Sequence, residues 1–551
     1  MKKKFITLLI LLLIPAFAWA SSRIVFMSPG VSGDKTSSAD IGTPDAEGFG
    51  VGYCKTSLLP SGMTAMTGYD DTSSANYGNY EYTNGSSVSV VVFIPRFYYK
   101  ITAGTNTIAI KGTDTYANEA AANAADYAIH RAFIDGSTEQ EGFFVDKYEN
   151  SKSESQSGYY IAASIADGLP ISTKSDHNPI ADLTACAGNH YYDTIDAAHA
   201  RDGTNGAVNG SSIWHVSSRF QQSALAMLSL AHGQAASSTT NCAWYDATDN
   251  FPKGNNDNNL GDYDDAAVKW ESDGYGSDDS AKAGSAGYGG GEGNVFAKST
   301  HNGQNCGVAD LSGNMWEVNI GITSITSTMN ITGASEENPC VITVASTATL
   351  TTGDWIQITS IVGMTELNSK LYKITVVDGT TFSLDSINSS GYTTYDSAGT
   401  VSYGSFYAAN ESTAMKTFTS SNAGATDHWG ATGVAALMTE ITMSSLPFES
   451  GSSYALRFGS STNQVLDEVT SGDGWILTGL GFPQDADAIG TTGTDLFGKD
   501  YFYQYIIDTL CVRSGGCWND SFYAGVWSVD LGSHRTPSHY HVSLRCACYP
   551  E

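Results

Sequence analysis

The run from Ser87 to Thr102, "SVSVVVFIPRFYYKIT", is rich in β-branched and aromatic residues and predicts a strand. Pro95 interrupts it and removes a ladder donor, which predicts an edge strand or a bulge. A string of turns precedes it and closes on Asn84-Gly85, a hairpin signal. Residues 115–133 are Ala-rich and predict helix, and Gly142 to Ser151 predicts a strand with a charged face. The clearest helical period lies within Gly210 to Gly233. Phe220, Ala224, Met227, Leu228 and Ala231 recur at spacings of three and four, with Ser217 or Ser218 as the cap. That apolar face is expected to sit on a sheet.

Residues 234–300 are mostly Gly, Asp, Asn, Ser and Ala, and predict long loops. Within them Asp249 to Asp265 offers the oxygen ligands that calcium takes, without the spacing of a calcium loop; a solvated acidic loop is the preferred reading, with structural calcium as the alternative. Gly307 to Val318 predicts a compact apolar turn. From Pro339 to Ser402, short alternating segments separated by Gly and Asp turns predict a small all-β module, inserted where loops tolerate it. The expected organisation is a leader over 1–20, a β-rich region over 21–106, a domain in two parts over 107–335 and 404–551, and the all-β insert over 336–403.

The leader joins Lys2 to Lys4, an apolar stretch and Ala18-Trp19-Ala20, the pattern of a secretory signal cut after Ala20. No later stretch has the length of a membrane span. With 27 basic and 57 acidic residues the formal net charge is -30, which provides no basic field for nucleic acid. Nine cysteines would be free to pair after export. Cys546 and Cys548 share one side of a strand and cannot easily join each other, so Cys511 and Cys517 are the nearest candidate partners.

Four pieces in order carry a family resemblance: "GFFVDKYE" (Gly142 to Glu149), "HVSSRFQQSALAMLSLA" (His215 to Ala231), "VADLSGNMWEV" (Val308 to Val318) and "RSGGCW…SLRCA" (Arg513 to Ala547). Together they resemble the C-type-lectin-like fold of the formylglycine-generating enzyme type, which implies an α+β domain. The insert resembles a small module of phage tail proteins, and Gly48 to Thr102 looks like the front part of phage receptor-binding proteins. The oxidase branch of the superfamily places two reactive cysteines between its "RGG" and "GFR" motifs. Here Trp518 to Ser543 holds none, and "VSLRCA" replaces the usual "GFR" ending. The terminal segment 513–551 is similar instead to the variable proteins of diversity-generating retroelements, where it is a ligand-binding surface mutated through template adenines.

That resemblance implies a division of labour. Asn519, Asp520, Ser521, Phe522, Tyr523, Ser528, Asp530, Ser533, His534, Ser538, His539, Tyr540 and His541 are types reachable from an asparagine-type codon through its adenines, as is Gly532. They would form the ligand-binding face, with Trp518, Trp527, Val529, Leu531 and Leu544 packed inward and Met315 and Trp316 behind them. Arg513, Arg535 and Arg545 either tie loop to strand or lie exposed; both readings stay open. His534, His539 and His541 also admit a three-nitrogen metal site, for which a chance cluster is the plainer explanation. The expected protein has no catalytic residues and no obligatory cofactor. It would be secreted or at the cell surface, or part of a virion tail, and would bind a cell-surface protein or glycan. A structural fibre without a ligand is the alternative, and an oxidoreductase of the formylglycine-generating type a remoter one. Nothing at heptad spacing fixes an oligomeric state.

Overall fold

The computed structural model describes residues 34–156, 159–245, 295–410 and 438–551, apart from short stretches within them such as 176–178, 187–189, 205–207, 472–476, 489–496 and 521–522; between 246 and 294 it describes only 251–252, 270–271 and 279–280. The leader and, apart from 251–252, the candidate calcium stretch therefore lie outside the described residues. Among the described residues about 36% are strand and 13% helix, and they include a six-stranded barrel.

The first sheet has the order Met63–Ala65, Asn79–Asn84, Ser87–Pro95, Gly142–Asp146, Cys546–Cys548, His215–Val216, antiparallel throughout. A hairpin forms at the Asn-Gly signal, but Asn84 pairs with Ser87, so the two-residue turn is Gly85-Ser86, with Gly85 at φ 61°. Pro95 departs from expectation. Its strand is interior, flanked on both sides, and the ring sits at the last position, opposite Gly142, where the missing N–H costs least. Three strands before residue 106 share this sheet with Gly142–Asp146 and with the chain's end, while Tyr98–Ile101 pairs across that position with Ile108–Lys111.

The Ala-rich stretch forms only a five-residue helix, Glu119–Asn123, capped by Asn118. The strong helical period gives helix Arg219–Ala235, with Ser218 as cap and a reciprocal box to Gln221. Every residue from Arg219 to Gly233 is buried, so the helix is enclosed rather than laid on one sheet.

The second sheet runs Ala486–Ala488, Ala455–Phe458, Tyr501–Gln504, Gly525–Leu531, Arg513–Gly515, Trp316–Val318, Val542–Leu544. Alternation sorts its two sides. Phe502, Trp527, Val529 and Leu531 join the apolar cluster that contains the long helix, while Trp316, Val318, Val542 and Leu544 join a second cluster with Tyr191, Tyr192 and Ile195 of helix His190–His199.

Between these pieces of chain stands the barrel. Ile322–Ala334, Val341–Val344, Thr381–Leu384, Lys370–Val376, Trp355–Val362 and Ser397–Ala409 pair in that order, and Ile322–Ala334 closes the ring on Ser397–Ala409. The two closing strands pair from Ile322↔Ala408 to Asn330↔Thr400, so the barrel is rooted by its two longest strands. Its interior is a separate apolar cluster that includes Ile342, Ile356, Ile358, Tyr372, Phe382 and Val401. It also leans on the second sheet: Ile506 N donates to Gln357 Oε1 (3.0 Å), Leu510 N to Ser324 Oγ (3.2 Å), and Trp355 packs on Phe448 with ring centres 5.2 Å apart.

Candidate functional site

The terminal segment is held by backbone. Trp518 N donates to Asn314 O (3.0 Å), Gly313 N to Gly515 O (3.0 Å) and Trp316 N to His541 O (2.8 Å), so the Leu311 to Trp316 turn clamps both ends of the segment. Asp310, Gly313 and Asn314 take φ of 56°, 77° and 57° there. Gly516 is needed on two counts: its φ is 73°, and a Cβ would stand 2.7 Å from Ala524 Cα.

Arginines complete the frame, and all three are buried. Arg513 forms an ion pair with Asp530, which Ser533 Oγ joins. Arg535 Nη1 donates to Tyr192 OH (3.0 Å). Arg545 reaches Glu317 Oε1 by Nε (2.9 Å) and Nη2 (2.6 Å), and the carbonyls of Asp146 and Ala309 at 2.9 Å each. Of the two open readings for these arginines, tying loop to strand is the observed one. Gly142 to Ser151 likewise carries no solvated charged face: Asp146 is bound by Arg201 (2.6 Å) and by Cys546 N (2.8 Å), Lys147 Nζ donates to Asn305 O (2.8 Å), and Glu149 accepts from Met315 N (3.1 Å). Burial, with Asp310 and Glu317 nearby, pushes the Glu149 carboxyl well above the usual carboxylate range.

The packing residues Trp518, Trp527, Val529, Leu531 and Leu544 are all buried, as are Met315 and Trp316. Among the face residues, Asn519, His534 and Ser538 are exposed, and Asp520, Tyr523, Ser533, His539, Tyr540 and His541 are partly exposed. Ser521 and Phe522 lie outside the described residues. Two expectations are corrected. Ser528 and Asp530 point to the outer side of the sheet, as alternation requires, yet they are buried, at 0% and 6% exposure. Ser528 Oγ donates to Tyr523 O (2.7 Å) and accepts from Tyr501 N (3.2 Å), and Asp530 is spent on Arg513. They support the face and do not contact what lies above it.

On the strand beside them stand rings that were not part of the predicted face. Tyr501, Tyr503 and Tyr505 alternate with buried Phe502, Gln504 and Ile506 along the neighbouring strand. Tyr523 stacks on Tyr501 at 4.5 Å and 16°, Tyr503 lies 4.6 Å from Tyr501, and Tyr454 lies 4.1 Å from Tyr505. The period-two pattern "YFYQY" was the available signal. Farther along, Trp518 approaches Tyr540 at 6.0 Å, and the His539 and His541 rings stack at 5.2 Å. Thr173, missed from sequence, fixes this end: its Oγ1 donates to His539 O (2.9 Å) and its N–H to Val542 O (2.9 Å).

The histidines do not converge as a ligand set. His534 Nδ1 faces Asp508 O at 2.8 Å, on the side of the barrel-supported 505–510 loop. Burial, then Arg513 and His539, pull His541 down to about 3, and burial also lowers His539. Among the described residues no group of three His, Cys, Asp or Glu is placed to hold a metal. Among the described residues no disulfide joins any of the cysteines. The contacts that hold the segment in this structure are hydrogen bonds and ion pairs, and it shows no bridge from Cys546 or Cys548 to Cys511 or Cys517. Burial pushes the Cys517 thiol well above its ordinary value and Asp520 pushes it the same way, and Cys546 is also raised by burial. A polar cavity of about 150 Å³, lined by Glu47, Ser73, Asn241 and Gln304 among others, shares no residue with this face.

Residues 337–403 match the ubiquitin-activating enzyme E1 FCCH domain. The matched stretch lies inside the barrel and describes that insert alone. No curated protein matches the chain. Among the described residues no helix is long and apolar enough to cross a membrane.

Proposed function

We propose that this chain is an exported, hypervariable ligand-binding protein of the C-type-lectin-like, formylglycine-generating-enzyme-type fold. Its terminal segment 513–551 is diversified by a retroelement and recognises a cell-surface protein or glycan. The observation that carries the reading is the sorting of side chains within one short segment. Trp518, Trp527, Val529, Leu531 and Leu544 are buried, while Asn519, His534, Ser538 and the Tyr523 and His539 to His541 rings reach the surface. A surface of Tyr, His, Asn and Ser on a rigid support combines large contacts at low entropic cost with adaptable hydrogen bonds. The fold assignment is supported by the last strand, Cys546–Cys548, lying beside Gly142–Asp146, and by the Gly307 to Val318 turn gripping the terminal segment.

The reading contains no catalytic step. The buried, protonated thiols of Cys517 and Cys546 support it, because a thiolate is the reactive form. Sequencing the DNA beside the gene tests the proposal. A near-copy of the terminal codons with adenines at the Asn519, His534 and Ser538 to His541 positions is expected, and an array of glycans and surface proteins then yields a discrete ligand. No template copy together with no ligand would favour a purely structural component.

A further inference from the structure

We propose that Tyr454, Tyr501, Tyr503 and Tyr505 form a fixed aromatic shelf beside the terminal segment, which receives lysine and arginine side chains of a partner protein. This rests on the ligand-binding reading and names its partner's chemistry. The shelf follows from the strand Tyr501–Gln504, whose period of two sends Phe502 inward and the tyrosines outward. It is continuous with the segment. Tyr503 sits opposite Asp530 in the parallel register, and Tyr523 stacks on Tyr501. The Tyr505 ring lies against Gly532, where a Cβ would stand 2.4 Å from it. None of the four tyrosines belongs to the segment, so they stay constant while it varies.

Charge selects the occupant. Arg513, Arg535 and Arg545 are turned inward, onto Asp530, Tyr192 and Glu317. The carboxylate of partly exposed Asp520, which accepts from Cys517 N (2.8 Å), is close enough to act electrostatically on both Tyr501 and Tyr503, on a chain whose formal net charge is -30. Lys174, over Tyr540 at 5.7 Å, already shows an ammonium group on an aromatic ring of this face. Tyrosine faces attract such cations by roughly 0.5–1 kcal/mol each when exposed and about 2 or more when water is excluded. The shelf thus supplies affinity for basic surfaces in general, and the segment chooses among them.

The test uses the full chain and three immobilised probes: a peptide of alternating lysine and glycine, the same peptide with glutamate for lysine, and a neutral glucose oligomer. The lysine peptide is expected to bind, more weakly at high salt. Tyr501→Ala and Tyr505→Ala should each weaken it about five- to tenfold, one cation–π contact, while Tyr505→Phe retains it; far-UV circular dichroism checks that each variant is folded. Failure of the lysine peptide to bind, or tyrosine-dependent binding of the glucose oligomer in its place, overturns the proposal. If His539→Ala and Tyr540→Ala weaken binding but the shelf variants do not, the shelf falls and the ligand-binding reading stands. If neither set has an effect, both fall.

Discussion

Trp527→Ala tests the frame where it is most concentrated. Trp527 is 1% exposed, with Phe497 edge-on at 5.2 Å and Phe458 at 5.8 Å, and its backbone N–H donates to Asp500 Oδ2 (2.8 Å). A buried tryptophan removes roughly 200 Å² from water. At about 25 cal/mol per Å² that is ~5 kcal/mol, and a compact unfolded chain brings it to about 3–4. Alanine recovers a little of this, but the cavity left among rigid rings adds a similar amount, so the expected loss is about 4 kcal/mol. That is a large fraction of the roughly 5–15 kcal/mol that holds a typical domain. Urea unfolding followed by far-UV circular dichroism measures it, with Ser538→Ala as the exposed control, expected within about 0.5 kcal/mol of the parent. A loss below about 1 kcal/mol for Trp527→Ala, or one equal to that of Ser538→Ala, would refute the reasoning.

Ser528→Ala is expected to cost about 1–2 kcal/mol in the same assay, because it strands the Tyr523 carbonyl and the Tyr501 N–H, and to leave ligand contacts untouched. Arg545→Met leaves Glu317 buried without its cation and should cost about 3–5 kcal/mol, part of which a second change, Glu317→Gln, restores. Glu149→Gln should raise the melting temperature at neutral pH. The folded carboxyl titrates well above its unfolded value near 4.5, so its contribution is complete below that pH and is lost as pH rises through the folded value. The gap between parent and variant in thermal melts should therefore close by about pH 4. A gap independent of pH would contradict a Glu149 carboxyl held well above its ordinary range by burial.

Local signals were legible and distant partners were not. Ser218 capped the long helix because the box to Gln221 is written within four residues, and the hairpin signal at Asn84-Gly85 was equally local. The charges of Asp146, Lys147 and Glu149 read only as a charged face because the partners that bury them, Arg201, Asn305 and Met315, are far away in sequence. Pro95 looked like an edge marker because the neighbour that makes its strand interior, Gly142–Asp146, is not adjacent in the chain. In the candidate site, alternation placed Trp527 and Val529 inward and Ser528 and Asp530 outward. It could not reveal that the Tyr501–Gln504 strand lies parallel alongside, with Tyr503 opposite Asp530. The barrel was readable as an all-β unit from its turns, while its closure by Ile322–Ala334 on Ser397–Ala409 depends on a pairing that spans the whole insert.

The most direct measurement randomises Asn519, His534, Ser538, His539, Tyr540 and His541 together on a display surface, then records the bound ligands and the melting temperature of many clones. The account predicts that ligand choice changes from clone to clone while melting temperatures stay within a few degrees of the parent. Clones that largely unfold, or that keep the parent's ligand whatever their sequence, would contradict it.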